Sequence, residues 1–173
     1  MMSDTKSTLT KKLLAYGFTA AIAVSGGYLV APREGKVNTA YLDPVGIWTV
    51  CYGNTGKEAK KGNTYTDEQC LDQMAEDLAS HDKQMMNLIR VPLTDYQHAA
   101  FLSFTYNVGV GNFKSSTMLR KLNSKDYNGA CQELVKWVYA KGQKLNGLVN
   151  RRQDELKMCL GETKIDIVET KAG

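Results

Sequence analysis

Two carboxyl groups and one hydroxyl lie close together in the chain and are suited to acid–base chemistry: Glu34, Asp43 and Thr49. Hydrolysis of a glycosidic bond needs one carboxylic acid to protonate the leaving oxygen and a second carboxylate on the opposite side of the sugar. Glu34 follows an apolar segment, and burial favours the protonated form that an acid catalyst needs. Asp43 lies in a turn sequence, where it can serve as the base while Thr49 orients water. Most single carboxylates are solvated surface charges, so the spacing alone does not establish catalysis.

A short β region should carry Asp43 and Thr49. Residues 40–53 are rich in β-branched and aromatic side chains, and the sequence Asp43-Pro44-Val45-Gly46 interrupts them with a turn. The pattern predicts one hairpin or a small sheet, followed by a polar loop to about residue 63.

Helices should form most of the remaining domain. Capping-box sequences at 66–69 and 94–97 predict two helices, the second ended by Gly109 and Gly111. Further helices are predicted from Ser116 to Leu122, from Asp126 to about Ala140, and from Gly147 to Leu160. The sequence therefore predicts an α+β domain with a small β lobe and a mainly helical lobe.

The composition limits the classes of function. A chain of 173 residues with 43% hydrophobic residues suits one compact domain, and its net charge of +4 suits an anionic partner without selecting one. His81 and His98 are not at metal-ligand spacing, and the four cysteines are widely separated, so we expect no metal and no cofactor. Nucleic-acid binding is disfavoured because the positive charge is spread along the chain.

The N-terminal region carries a long uncharged stretch. Residues 13–32 contain no charged side chain, and a helix of that length spans roughly 30 Å, the thickness of one bilayer core. Lys6, Lys11 and Lys12 precede it, which predicts a cytoplasmic N-terminus and export of the chain beyond residue 32. Gly, Ala, Ser and Thr fill half of the stretch, so it should insert weakly.

Three interpretations of this stretch compete. It could be a signal peptide cleaved after Ala21-Ile22-Ala23, an uncleaved weak anchor, or a buried helix of the folded domain. We favour the weak anchor, and we divide the chain into an anchor segment at 1–32, a catalytic domain at 33–161 and a loose tail at 162–173.

Three ordered motifs carry a resemblance to a known family. The stretch 34–53 resembles the active-site sequence of the phage lysozymes, the endolysin family of the T-even type, and places Glu34, Asp43 and Thr49 on its catalytic Glu, Asp and Thr. Residues 101–113 resemble the segment F-x-x-N-x-G-x-G-x-F, and residues 147–155 resemble the closing helix G-L-x-x-R-R-x-x-E. The resemblance covers roughly residues 33–161.

This resemblance implies a lysozyme-like fold and an activity. The expected enzyme cuts the β-1,4 bond between N-acetylmuramic acid and N-acetylglucosamine in peptidoglycan, by an inverting reaction, as a monomer. Glu34 is then the general acid, Asp43 the base or electrostatic partner, and Thr49 the residue that orients water. The likeness also suggests Asn107, Asn112 and Arg151 as substrate-binding residues, with Arg151 or Arg152 pairing with Glu34 across the cleft.

The N-terminal stretch is similar to that of the signal-anchor-release endolysins. That subgroup implies export by the host translocon, an inactive form held in the inner membrane facing the periplasm, and release when a holin or pinholin de-energises the membrane. An inserted anchor would pin Glu34 at the bilayer surface, and release would let the weakly apolar segment pack on the domain. A secreted lysozyme with a cleaved signal peptide and a wall-binding module without turnover are the alternatives.

Four cysteines lie beyond the anchor, in an even number that suits the oxidising periplasm. We favour the pairs Cys51–Cys70, joining the β lobe to the next helix, and Cys131–Cys159, joining two C-terminal helices. Four buried free thiols are the alternative.

Overall fold

The computed structural model describes residues 10–15 and 17–163, with Glu34 described by its backbone. In this part of the chain a small β lobe is joined to a larger helical lobe, which confirms the predicted α+β architecture. The predictions that concern Lys6 and most of the tail fall on residues outside the described ranges.

The stretch predicted as an anchor is built into the helical lobe. Residues 10–15 form helix α1, and a second helical run covers residues 20–34. That run consists of α2 (Ala20–Val24), a π-helical segment (Ser25–Val30) and α3 (Ala31–Glu34). Pro32 lacks an N–H and would clash with the carbonyl four residues earlier in a regular α-helix, which accounts for the wider turn that precedes it.

Most side chains of this run are buried. Every residue of α2 is buried, as are Leu29, Val30 and Ala31, and all of them except Ala21 belong to the main hydrophobic core. Among the described residues, no helix combines the length and the apolar character needed to cross a membrane.

Helix α4 (Asp67–Met86) and helix α5 (Asp95–Val108) form the centre of the helical lobe. Seven consecutive residues of α5, from Ala99 to Thr105, are buried, because α4, the run 20–34 and the last helix pack around it. Both helices begin with the predicted capping boxes, Thr66 with Gln69 and Thr94 with Gln97. The remaining elements of this lobe are α6 (Val110–Lys114), α7 (Thr117–Asn123), α8 (Tyr127–Glu133), a 3₁₀ turn (Leu134–Lys136), β3 (Tyr139–Ala140), β4 (Gln143–Lys144) and α9 (Asn146–Cys159).

Two helix predictions need correction. Gly109 ends α5 with a φ of 91°, as predicted, but Gly111 lies inside α6 and ends nothing. The helix predicted from Asp126 to about Ala140 ends at Glu133, and β3 pairs with β4 in a small hairpin that the sequence patterns did not predict. A positive φ at Lys141 and Gly142 forms the tight turn of that hairpin.

The β lobe is the predicted hairpin. Strand β1 (Val37–Leu42) pairs antiparallel with β2 (Trp48–Cys51), and Tyr41 lies opposite Thr49. A small separate core holds this lobe together, formed by Ala40, Val50, Cys51, Ala59 and Cys70.

Two disulfides join the elements, Cys51–Cys70 and Cys131–Cys159, and these are the pairs favoured from the sequence. The first links the end of β2 to α4, and the second links α8 to α9. Each closes a loop of moderate length, so each restricts the unfolded chain.

Candidate active site

Asp43 is fixed by the turn that it begins. Its Oδ1 accepts hydrogen bonds from the backbone N–H of Val45 at 2.9 Å and of Ile47 at 2.8 Å, and its own N–H donates to the Ile47 carbonyl at 2.9 Å. The sequence Asp-Pro-Val-Gly folds this way because a short carboxylate can satisfy the N–H groups of a tight turn. The carboxylate is therefore oriented, and its Oδ2 has no protein partner in the described ranges.

Thr49 shares a backbone neighbour with Asp43. Its hydroxyl donates to the Ile47 carbonyl at 3.2 Å, and its side chain is 6% exposed. The backbone of Ile47 thus contacts both side chains, its N–H bonding the Asp43 carboxylate and its carbonyl the Thr49 hydroxyl, which places two of the three predicted catalytic side chains near the turn of the hairpin.

Glu34 is the last residue of α3. Gly35 ends the helix with a φ of 67°, and its N–H donates to the Ala31 carbonyl at 3.3 Å. The chain then enters β1 at Val37, so the predicted acid lies at the junction between the helical lobe and the hairpin.

Ion pairs hold the backbone on both sides of Glu34. Arg33 pairs with Asp154 of α9, and Lys36 pairs with Asp67 at the start of α4. The Lys36 ammonium and the amide of Asn38 lower the pKa of Asp67. Because the two pairs reach different helices, they fix the point where the chain leaves α3.

A buried charged network lies between α5 and α9. The Arg152 guanidinium forms an ion pair with Glu155, with 2.8 Å between Nε and Oε2, and it lies 5.0 Å from the centre of the Phe104 ring. Ser103 donates to Glu155 Oε1 at 2.7 Å. Burial raises the pKa of Glu155 to about 7, while the two neighbouring arginines act in the opposite direction.

This network reaches the surface at Asn107. Arg152 Nη2 donates to Asn107 Oδ1 at 2.8 Å, which fixes the amide of an exposed side chain at the end of α5. Burial also lowers the pKa of Arg152, although the Glu155 carboxylate opposes that shift.

Arg151 and Asn112, the other two predicted substrate-binding residues, do not line the polar cleft between the segment after β2 and helices α4 and α5. Arg151 is 7% exposed, and its Nε lies 3.7 Å from Glu155 Oε1. Asn112 is exposed, but its amide donates back to the Val108 carbonyl at 2.7 Å. Of the three, Asn107 alone contributes to the cleft wall.

A polar cleft of about 480 Å³ separates the segment after β2 from α4 and α5. Burial raises the pKa of Asp77 on one wall. The lining residues are Tyr52, Gly53, Asn54, Thr55, Gly56, Glu58, Asp77, His81, Tyr106 and Asn107.

Sequence reasoning missed several of these residues. His81 reads as an ordinary polar residue of a helix face, although it follows Asp77 by one helical turn. In the sequence, Tyr106 is marked as a candidate only by its position next to Asn107 within the segment 101–113. Within the described ranges, no group of three or more His, Cys, Asp or Glu could hold a metal ion.

Comparison with known proteins decides the family. The model of the phage lysozyme family matches residues 31–155, which include the hairpin, the cleft walls and the buried network. The chain belongs to the phage lysozyme family.

Curated phage lysozyme relatives extend the match toward the N-terminus. The chain is 40% identical over 158 residues to a protein of Enterobacteria phage PA-2 named SAR-endolysin, covering 88% of this chain and 96% of that protein. A SAR-endolysin of Enterobacteria phage P21 matches with the same identity and coverage.

A solved structure agrees with the lysozyme fold. A lysozyme variant of phage P22 is 32% identical, with a TM-score of 0.71 over 83% of this chain and 97% of that one. The predicted fold class and the predicted enzyme class, a glycoside hydrolase of the muramidase type, are therefore confirmed. This phage lysozyme is an endolysin that hydrolyses peptidoglycan for lysis.

Proposed function

We propose that this endolysin hydrolyses the β-1,4 bond between N-acetylmuramic acid and N-acetylglucosamine with Glu34 as general acid and Asp43 and Thr49 as the residues that activate water. The observation that carries the proposal is the backbone of Ile47, whose N–H bonds Asp43 and whose carbonyl bonds Thr49, in the hairpin that follows the helix ending at Glu34. A water bound by these two side chains would lie at the hairpin, with the acid supplied from the end of α3.

The hydrogen bonds support distinct roles for the two hairpin residues. The Thr49 hydroxyl gives its only proton to Ile47, so toward a water it acts as an acceptor. Asp43 Oδ2 is available to accept the other proton of that water. The water oxygen would then direct a lone pair at the sugar, as an inverting hydrolysis requires.

We also propose that residues 13–32 serve first as a membrane tether and later as core. Relatives at 40% identity carry the name SAR-endolysin, and the stretch is uncharged but rich in small residues. In the folded protein, Ile22, Val24 and Leu29 are almost fully buried. The protein would thus be exported by the host translocon, wait at the inner membrane, and fold fully in the periplasm after a holin or pinholin acts.

Burial of this stretch argues against removal of a signal peptide. Cleavage after Ala23 would remove Ala20, Ala21 and Ile22 from the core, and a domain without them would lose much of the contact between the run 20–34 and α5. N-terminal sequencing of the mature protein tests this directly, since retention of residues 1–23 excludes the cleavage.

The first test measures the release of reducing ends from purified peptidoglycan by the wild type and by Glu34→Gln. Removing a general acid should lower kcat by roughly 10²–10⁴-fold while leaving the fold intact. Glu162→Gln, which alters an exposed carboxylate after α9, is the matched control and should retain full activity.

Two results would overturn the proposal. Equal activity in Glu34→Gln and the wild type would make Glu34 a structural residue. Wild-type protein that binds peptidoglycan but releases no reducing ends would be a wall-binding module.

A further inference from the structure

The cleft wall contains a histidine whose tautomer is set by the protein. His81 lies on α4, and its Nδ1 is 2.7 Å from the carbonyl oxygen of Asp77. A carbonyl can only accept a hydrogen bond, so Nδ1 carries the proton. In the neutral ring, Nε2 is then an acceptor, and it has no protein partner among the described residues.

The neighbouring wall residue has the opposite polarity. Asn107 Oδ1 accepts from the Arg152 guanidinium, which can only donate, so the orientation of the amide is settled. Its NH₂ group is left with two donors, and no described protein group accepts from them. The buried pair of Arg152 with Glu155 keeps this orientation rigid.

Tyr106 packs beside the acceptor. It precedes Asn107 on α5, and its ring packs on the His81 ring with 4.9 Å between the centroids and 56° between the planes. The three side chains therefore all line the cleft, where His81 offers an acceptor, Asn107 offers donors and Tyr106 an aromatic ring.

We infer that His81 is a specificity-determining residue that binds, together with Asn107, the acetamido group of an N-acetylated sugar. An acetamido group presents one C=O acceptor, one N–H donor and one methyl group. Asn107 Nδ2 donates to the carbonyl oxygen, His81 Nε2 accepts from the N–H, and the methyl group lies against Tyr106. This inference rests on the proposed function, because it assigns part of the same substrate.

The surface distinguishes the acetylated sugar from its amine. A de-N-acetylated sugar presents an ammonium with donors only, so the Asn107 amide would lose its acceptor. Asp77 and Glu58 line the same cleft and would attract that ammonium. The proposed site therefore predicts tighter binding of the acetylated sugar, whereas the charges of Asp77 and Glu58 alone would favour the amine.

The test compares His81→Phe with the wild type on N-acetylated and on chemically de-N-acetylated glycan strands. Phenylalanine keeps a ring against Tyr106 and removes Nε2. Loss of one hydrogen bond should raise KM on the acetylated strands by about tenfold and change kcat by less than about threefold. The wild type should have a higher KM on the de-N-acetylated strands, because they offer the Asn107 amide no acceptor. His81→Gln, which restores an acceptor, should recover part of the lost affinity.

His98→Phe is the matched control. His98 pairs with Asp82 between α4 and α5 and does not line the cleft, so its replacement should leave KM on both substrates unchanged. Thermal unfolding of each variant confirms that it is folded before kinetics are compared.

A binding measurement separates this inference from the proposed function. Calorimetric titration with tri-N-acetylchitotriose measures binding independently of peptidoglycan hydrolysis, and His81→Phe should bind the trisaccharide about tenfold more weakly than the wild type. If the wild type hydrolyses no peptidoglycan but His81→Phe still binds the trisaccharide more weakly than the wild type, the site is supported and the proposed function is overturned. Unchanged affinity, or a wild-type KM that is no higher on the de-N-acetylated strands, would overturn the site.

Discussion

Glu155 is a carboxyl group with no exposure to solvent, placed against two arginines. Its pKa of about 7 in the folded protein lies above the ordinary value of 4.5, because burial penalises the charged form more than Arg152 and Ser103 favour it. Between those two values the folded protein binds more protons than the unfolded chain. The stabilising contribution is therefore fully present below about pH 4.5 and is lost as the pH rises to about 7.

Glu155→Gln should remove this pH dependence. The amide stays neutral at every pH, so the free energy of unfolding of the variant, relative to the wild type, should rise by about 2 kcal/mol between pH 5 and pH 8. Urea denaturation at both pH values measures it, with Glu162→Gln as the control for loss of one exposed carboxyl. A change in the opposite direction would mean that the arginines keep Glu155 ionised.

The catalytic candidates could be named from the sequence, and the cleft wall could not. The three catalytic candidates lie within one short stretch, and their spacing and the turn at Asp43 can be read directly from the sequence: Glu34, Asp43 and Thr49. His81 and Asn107 are brought together by packing of α4 on α5, and the polarity of each depends on a partner, the Asp77 carbonyl or Arg152. Such partners are set by tertiary contacts, so single-residue patterns do not reveal them.

Close packing of the run 20–34 depends on two glycines. A Cβ at Gly27 would lie 2.9 Å from the backbone N and 3.0 Å from the Cα of Thr10 in α1. A Cβ at Gly26 would lie 2.7 Å from Leu13 Cδ1 and from Leu78 Cδ1. The same glycines that weaken the stretch as a lipid anchor therefore allow it to pack within the folded domain.

Gly27→Ala should destabilise the protein by about 1–3 kcal/mol, because the clash involves the backbone of Thr10 and cannot be relieved by rotating a side chain. Gly147→Ala is the matched control. Gly147 lies in α9 with no atom near its would-be Cβ, so alanine there should add up to about 1 kcal/mol of stability. Urea denaturation measures both, and equal stability of Gly27→Ala and the wild type would contradict the packing argument.

Local signals predicted the starts of three helices that a Ser or Thr side chain caps. Thr66, Thr94 and Ser116 each bond a backbone N–H of the first turn, and each helix begins where expected. The region after Glu133 has no such signal at its end, and apolar residues at helical spacing continue past the true boundary. There the positive φ of Lys141 and Gly142 determines the β3–β4 hairpin, which periodicity cannot predict.

The rest of the domain determines whether residues 13–32 lie in a membrane or in the folded core. Its length and lack of charge are compatible with a membrane span, whereas in the folded protein the helical runs 10–15 and 20–34 lie within one helical lobe. Composition predicted a weak anchor and left a buried helix open. The choice depends on whether α4, α5 and α9 or lipid surrounds the segment, which the sequence alone does not specify.

Replacing Gly26 and Gly27 together by leucine should keep the protein in the membrane fraction and delay lysis. Leucine strengthens insertion and also blocks the packed form, so both effects favour the tethered state. Ala15→Leu, at an exposed position of α1, is the matched control because it raises apolarity with little obstruction of the core. Cell fractionation during the lysis time course measures the distribution, and lysis on schedule from the soluble fraction would exclude the release mechanism.

The burial of the run 20–34 also has a consequence for folding kinetics. The run is synthesised before its packing partners, because α5 and α9 begin only at Asp95 and Asn146. These contacts are long-range in sequence, and long-range contacts form late because a large loop must close first. The run 20–34 is therefore among the last segments to reach its native position, and refolding of the purified protein should show its slowest phase there.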